Sequence, residues 1–294
     1  MLVTDLQGAA HTYKQLLGME PIFAKRSSKY PVDIKILPAG NGTFIELIQP
    51  ISDEGPVARY LYKRGTGPYL LTFETQCYDQ LISNLKSHDI KITEETQTPK
   101  ARHAFVHPKA ANGSFIQIID ILDPALDWLP EVNNLESNIL FPRTRQLRQV
   151  AILVHDLDQA IENWARMFGI VPTKRFLISF SDLEIAVLPL GDKNTFVELA
   201  QPTSADSSPA KFLQRYGEGI YLTIFEIEDS LQLDGYLADQ NIRYTTSRKT
   251  DNYVNLGFNS IWIHPSSMVG AFVQLSQVLD PVNPWPPAGD DWFN

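Results

Sequence analysis

FVHPKAANGSFIQI, Phe105 to Ile118, returns as WIHPSSMVGAFVQL, Trp262 to Leu275. Each copy leaves an apolar strand through His-Pro, places Gly six positions after the His (His107 to Gly113, His264 to Gly270), and enters a second apolar stretch centred on a Gln, Gln117 or Gln274. A strand, turn and strand written twice in one chain is the mark of internal duplication, which sets the architecture before any single residue is read.

Working outward, the duplication covers nearly everything. VTDLQGAAHTYKQLLG (Val3 to Gly18) matches VHDLDQAIENWARMFG (Val154 to Gly169), TFIELIQP (Thr43 to Pro50) matches TFVELAQP (Thr195 to Pro202), and GPYLLTFE (Gly67 to Glu74) matches GIYLTIFE (Gly219 to Glu226). The copies also end alike, ILDPALDWLP (Ile121 to Pro130) against VLDPVNPWPP (Val278 to Pro287). The chain therefore divides into module one over 1–125, a linker over 126–145 rich in Pro, Asn and Ser, module two over 146–279, and a tail over 280–294. Because Val3 aligns with Val154, module one is expected to lack most of its first strand.

Module two reads as strand, helix and three strands, then the same again. QVAILV is an apolar strand; Asp156 is a helix N-cap with Gln159 at the capping-box position; Leu157, Ile161, Trp164 and Phe168 share a helical face; and Gly169 ends the helix. VPTKRFLI, LEIAVLPL and NTFVELA follow as strands. IYLTIFEI, a helix over SLQLDGYLADQ, a strand near IRYTTS, and the pair NSIWIHP and GAFVQLS complete the module. The fold class is α+β, with two βαβββ units per module.

Composition bounds the function. At 294 residues, 44% hydrophobic and 20% charged, the chain is long enough for two globular cores. A formal net charge of -9 offers no basic excess for a phosphate backbone, so nucleic acid is not an expected partner. MLVTDLQGAAH has no basic segment followed by a long apolar run, and no apolar stretch approaches a bilayer span, so no membrane partner and a cytoplasmic location are expected. A single cysteine, Cys77, excludes an internal disulfide and a thiolate metal cage.

The ordered patterns V-x-D-L with the helix to L/F-G, F-[IV]-E-L-x-Q-P, R-Y-G-E-G-I-Y, and [FW]-[VI]-H-P with G-x-F-[VI]-Q resemble the vicinal oxygen chelate superfamily, especially its glyoxalase-like and methylmalonyl-CoA-epimerase-like members. The resemblance implies that the paired βαβββ units of each module curl eight strands into a cup. It also implies a divalent metal held by one residue from each of four strands, usually His, Glu or Gln, His and Glu. Here those positions fall on Gln149, Glu198, Tyr221-Leu222 and Gln274 in module two, and on Glu46, Tyr69-Leu70 and Gln117 in module one, whose first position would precede Met1. One carboxylate and two amides are neither the imidazole or thiolate set of zinc nor the anionic oxygen set of hard ions. The usual metal is expected to be absent, and no other cofactor is expected.

Alternation along a strand places Phe44, Glu46 and Ile48 on one face, as it does Phe196, Glu198 and Ala200, and Phe272, Gln274 and Ser276. A carboxylate desolvated there without a cation has a raised pKa and suits proton transfer. Glu198 and Glu46 are thus the candidate catalytic residues. Glu198 ranks first on three grounds: module two's first strand is complete, Gln149 and Gln274 occupy flanking positions, and Glu46 can instead be the structural partner of Lys35 on the adjacent strand, where module two has Ala186. Gln149, Gln274, Gln117, Tyr221, Tyr69, Phe196, Phe272 and His103 are the candidate ligand-binding residues; the glutamines can equally be satisfied core amides. His103, which has Ser260 as its counterpart, is either incidental or a specialisation of module one. His107 and His264 are expected to serve their turns, and Trp128 and Trp285 to be packing aromatics.

Two function classes remain. One is a metal-independent isomerase, epimerase or lyase in which a cup carboxylate moves a proton beside a carbonyl of a small organic molecule. The other is a non-catalytic small-molecule binding protein of the bleomycin-resistance type. Extradiol ring cleavage is excluded on this reading for want of the two His and a carboxylate that hold iron. Either class is compatible with a monomer or a homodimer.

Overall fold

The structure, a computed structural model, describes residues 1–27, 29–123, 144–191, 194–247 and 257–292. Most of the expected linker, with Trp128, lies outside the described residues.

Module one opens on helix α1 (Leu6–Leu17), followed by strands β1 (Phe23–Arg26), β2 (Val32–Pro38) and β3 (Phe44–Pro50), helix α2 (Pro56–Arg64), strand β4 (Leu70–Glu74), helix α3 (Tyr78–Ser87), and strands β5 (Ile92–Gln97), β6 (Ala101–Val106) and β7 (Phe115–Ile121). Module two repeats the plan as β8 (Thr144–Leu153), α4 (Leu157–Phe168), β9 (Phe176–Ile178), β10 (Leu183–Pro189), β11 (Phe196–Pro202), α5 (Ser208–Tyr216), β12 (Gly219–Ile227), α6 (Ser230–Asp239), β13 (Tyr244–Thr246), β14 (Phe258–Ile263) and β15 (Phe272–Val278). Its strands form the expected eight-stranded sheet, in the order β13-β14-β15-β12-β8-β11-β10-β9.

Module one forms two sheets, β1-β2-β3 and β4-β7-β6-β5. Ahead of α1, Met1–Val3 bridge to β3 and to Gly67. The amide of Val3 donates to Ile48 O and that of Ile48 to Met1 O, both at 2.9 Å, while Leu2 and Gly67 exchange bonds at 2.9 and 3.0 Å. Three residues thus occupy the place that ten residues of β8 fill in module two.

The helices form where the sequence places their caps. Asp5 Oδ1 accepts from the Gln7 and Gly8 amides at 3.1 and 3.0 Å, and Asp156 Oδ1 from the Gln159 amide at 3.0 Å. The amide of the first residue of three helices, which the cap does not reach, bonds to a strand glutamine: Leu6 N–H to Gln49 Oε1 at 2.9 Å, Leu157 N–H to Gln201 Oε1 at 2.7 Å, and Ser230 N–H to Gln277 Oε1 at 3.1 Å. Helices α2 and α5 were not expected. Ser207 caps α5 through its hydroxyl, and Gly65 and Gly217 close the two helices.

The chain folds as two compact units that are not the two modules. Within the described residues, the first unit takes 1–27, 29–68, 144–149, 222–247 and 257–292, and the second takes 69–123, 150–191 and 194–221. Each is built from half of each module. The first unit's core joins Tyr13, Leu16 and Leu47 to Phe225, Leu237 and Leu275, and Tyr236 Oη donates to Gln15 O at 3.0 Å between α6 and α1. In the second, Leu85, Ile116 and Ile118 pack with Trp164, Met167 and Leu199, and Asn84 Nδ2 donates to the Arg166 and Met167 carbonyls at 2.8 and 3.1 Å between α3 and α4. Burying a side chain the size of Leu stabilises by about 1.5–3 kcal/mol, so these mixed cores bind the halves strongly.

The opening glycines are placed by the same exchange. An ideal Cβ on Gly113 would lie 2.0 Å from Glu218 O, and one on Gly270 2.0 Å from Thr66 O. Each glycine, at φ of +74° and +78°, therefore lets its turn meet the G-x-G loop of the other module, Gly217 to Gly219 or Gly65 to Gly67. His107 and His264 serve these turns as expected: each Nδ1 accepts the amide two residues on, at 3.2 and 3.1 Å. Among the described residues no helix is long and apolar enough to cross a membrane.

Candidate functional site

The strands carry their chemistry on the face turned from the helices. Ile45 and Leu47 pack into the helical core of the first unit, so alternation turns Phe44, Glu46 and Ile48 the other way. The register corrects one expectation about this strand. Lys35 stands opposite Leu47, and Ile36 stands opposite Glu46. Lys35 accordingly points to the helix side, where its Nζ donates to Gln7 Oε1 at 2.5 Å, and it does not pair with Glu46.

Glu46 is half-buried. Burial pushes its carboxyl above the ordinary carboxylate range, against the opposing attraction of the Met1 amino group and Lys25. Its backbone oxygen accepts from the Met1 amino group at 2.8 Å, whereas its carboxylate accepts no hydrogen bond from the described residues. Lys25 reaches this face through register, being opposite Ile34, which is opposite Ile48.

Module two's glutamines lie in the first unit and are engaged. Gln149 is fully buried, and its Oε1 accepts from the Trp285 indole at 2.9 Å. The Arg148 guanidinium stacks over the same Trp285, 4.9 Å from the ring centroid, and lies 3.2 Å from Glu226. Gln274 is closed more completely: its Oε1 accepts from the Trp262 indole at 3.0 Å, and its Nε2 donates to Ser260 and Ser276 hydroxyls at 3.1 and 3.0 Å. Phe272 precedes it on the same face, opposite Leu222. Trp285 is the buried packing aromatic expected of it.

Glu198, Phe196 and Tyr221 belong to the second unit. Glu198 and Phe196 are buried on β11, with Glu198 opposite Val187. Tyr221 meets Phe212 edge-on at 5.0 Å, and burial pushes its phenol up to about 12. The same unit holds module one's candidates. Gln117 Oε1 accepts from Thr72 Oγ1 at 3.0 Å, Gln117 Nε2 meets His103 Nδ1 at 2.9 Å, and Tyr69 tilts against Phe115 at 5.5 Å. His103, which the sequence leaves open between two readings, is thereby tied to the glutamine of the opening motif. Thr72 is the member that sequence reading missed; pairing the strand of GPYLLTFE with that of Gln117 would have found it.

The family model described as Glyoxalase/Bleomycin resistance protein/Dioxygenase superfamily matches residues 1–106 and again 148–255. The chain belongs to this superfamily. Among relatives of this superfamily member, the uncharacterised protein YqjC of Bacillus subtilis is 22% identical over 121 residues, 40% of this chain and 86% of that protein. Human mitochondrial methylmalonyl-CoA epimerase is 28% identical over 120 residues, 40% of this chain and 68% of the epimerase. Among solved structures, a 4-hydroxymandelate synthase mutant from Streptomyces coelicolor superposes with a TM-score of 0.72 at 16% identity, covering 94% of this chain and 90% of that one. The tandem glyoxalase fold expected from the repeats is shown.

The donor set does not suit the divalent metal that membership of this superfamily implies. Among the described residues no three His, Cys, Asp or Glu side chains gather as a metal cluster. The carbonyl oxygens of Gln149 and Gln274, which an amide would turn to an ion, each accept an indole N–H.

Proposed function

We propose that this protein acts on a small organic molecule as a metal-independent isomerase or epimerase, moving a proton beside a carbonyl with a strand carboxylate as the base. The observation that carries the reading is Glu46: a half-buried carboxylate, without a hydrogen bond from the described residues, whose pKa is raised by burial. A base held so is weakly solvated and titrates nearer neutrality, as general catalysis requires. With Lys35 on the helix side and the Gln149 and Gln274 carbonyls engaged by indoles, two of the three grounds that set Glu198 ahead of Glu46 are gone. Glu46 ranks first and Glu198, which has partners of its own, second. Relatives named methylmalonyl-CoA epimerase support acyl thioesters as the first substrate class to try.

The test is solvent exchange. The protein is incubated in D2O with methylmalonyl-CoA and a panel of acyl thioesters and 2-keto acids, and deuterium beside the carbonyl is followed by NMR. Glu46→Gln should lower the exchange rate roughly 10²–10⁴-fold with the fold intact. Unchanged exchange in Glu46→Gln would overturn the assignment, and no exchange by the parent protein on any member would overturn the enzyme.

The second reading is sequestration without chemistry. It is supported by Gln149 and Gln274, which hold indole rings in place instead of offering free amides. A binder would show saturable ligand binding and no exchange.

A further inference from the structure

Helices α3 and α4 of the second unit border a groove of about 580 Å³, whose lining includes Phe73, Glu74, Leu81, Phe168, Ile170 and Leu190. Phe73 packs with the helices there, so the groove lies on the helix side of β4, opposite the face of Thr72 and Gln117. The repeat gives each lining residue a counterpart in the first unit: Phe225, Glu226, Leu233, Leu17, Met19 and Ala39. The five apolar counterparts are all buried, whereas the five apolar residues of the groove are all half-buried.

What covers the counterparts is the start of β8. Leu147 packs against their cluster, and its amide donates to Ala39 O at 2.7 Å. Thr144 Oγ1 donates to Leu17 O at 2.8 Å, and Arg145 and Gln146 donate to the Glu226 carboxylate at 3.1 and 2.9 Å. The strand fits closely: a Cβ on Gly40 would overlap Arg145 O, whereas one on its counterpart Gly191, in the wall of the groove, meets nothing within 4 Å. Glu226 is 8% exposed beneath its donors. Glu74 is exposed, and its carboxylate has no hydrogen bond or ion pair among the described residues. Trp164, fully buried at the groove, keeps an indole N–H with no acceptor among the described residues.

We propose that the groove takes an extended peptide segment of a partner protein, with a cationic residue followed two positions later by leucine, in the manner of Thr144–Leu147. The leucine lies against Phe168 and Leu190 and its amide donates to Leu190 O, the cation pairs with Glu74, and a hydroxyl one residue before the cation donates to Phe168 O. A peptide suits the groove better than a small apolar molecule, because two of the acceptors used in the first unit, Ala39 O and Leu17 O, are backbone oxygens met by successive parts of one strand. A second copy is not the source, since its own Thr144–Leu147 is built into its first unit. The inference stands apart from the proposed chemistry, which uses the opposite face of the strands.

The experiment uses the full chain and the peptide acetyl-Thr-Arg-Gln-Leu-amide. Cys77, the one cysteine of the chain, is exposed and lines the groove, so its alkylation by iodoacetamide, followed by intact mass, reports occupancy. The peptide at millimolar concentration should slow alkylation saturably. Alanine in place of its leucine should weaken protection about tenfold, the size expected for the lost apolar burial. Glutamine in place of its arginine should weaken protection about threefold in the parent protein and not at all in Glu74→Gln, a pattern that a general effect on the fold would not produce. No protection by the peptide, equal protection by the alanine peptide or by N-acetylleucinamide, or an arginine effect that persists in Glu74→Gln would each overturn the proposal. A parent protein that sediments as a dimer and is dissociated by the peptide would assign the groove to a second copy and overturn the partner.

Discussion

Replacing Gly113 by alanine tests whether the opening repeat is shaped by contact between modules. Two costs add. The left-handed backbone at φ +74° costs an L-residue about 1–2 kcal/mol. The new Cβ would also sit 2.0 Å from Glu218 O and 2.5 Å from its carbonyl carbon, an overlap with backbone that only displacement of the loop relieves, for about 1–3 kcal/mol more. The total is about 2–5 kcal/mol. Gly169 is the control in the same unit, because it has φ +67° and nothing within 4 Å of its Cβ position. Gly169→Ala should therefore lose the first cost alone. Urea unfolding followed by tryptophan fluorescence is a suitable assay, since Trp164 is fully buried in the same unit. At a constant slope the Gly113→Ala midpoint should fall well below that of Gly169→Ala. Equal losses would refute the reasoning, because they would mean that the loop yields freely.

Other outcomes follow from the same geometry. Glu46 has a folded-state pKa above its unfolded value, so the folded state binds its proton more tightly and stability drains as pH rises through the folded pKa. The melting temperature of Glu46→Gln relative to the parent protein should rise as pH increases from the ordinary glutamate value, about 4, through the folded-state pKa; a difference that stays constant or moves the other way would contradict the raised pKa. Gln201→Leu leaves the Leu157 amide without its strand acceptor and should cost about 1–3 kcal/mol, read as a lower melting temperature, against no loss if water replaces the bond. Elemental analysis of purified protein should find no stoichiometric zinc, iron or manganese, and exchange activity should survive a chelator. About one metal per module, with activity lost on chelation, would reverse the metal-independent reading.

The fold was legible because duplication reports itself: matched caps at Asp5 and Asp156, matched strands around Glu46 and Glu198, and matched turns at His107 and His264 need no register to be recognised. The site was less so. Whether Lys35 meets Glu46 depends on a one-residue register that composition does not encode, and a shift of one residue moves a side chain to the other face. His103 stayed open between two readings because its partner, Gln117, lies on another strand and its second-order partner, Thr72, on a third. The compact units were hidden for a different reason. Sequence similarity marks which halves share an origin, whereas cores form between whichever halves bury each other's helices, and here these are halves of different modules.

The glutamine that closes F-[IV]-E-L-x-Q-P has a consequence for how such proteins are recognised. Gln49 and Gln201 each hold the first amide of a helix that began some forty residues earlier, and Gln277 does so for a third helix. Where the fourth copy has Asp120 instead, it pairs with Arg102. The letter in the pattern that looks most like chemistry is thus a latch between strand and helix, and its work is assembly. A search built on that pattern will gather proteins by how they are put together, and it will return enzymes with unrelated reactions alongside proteins with none.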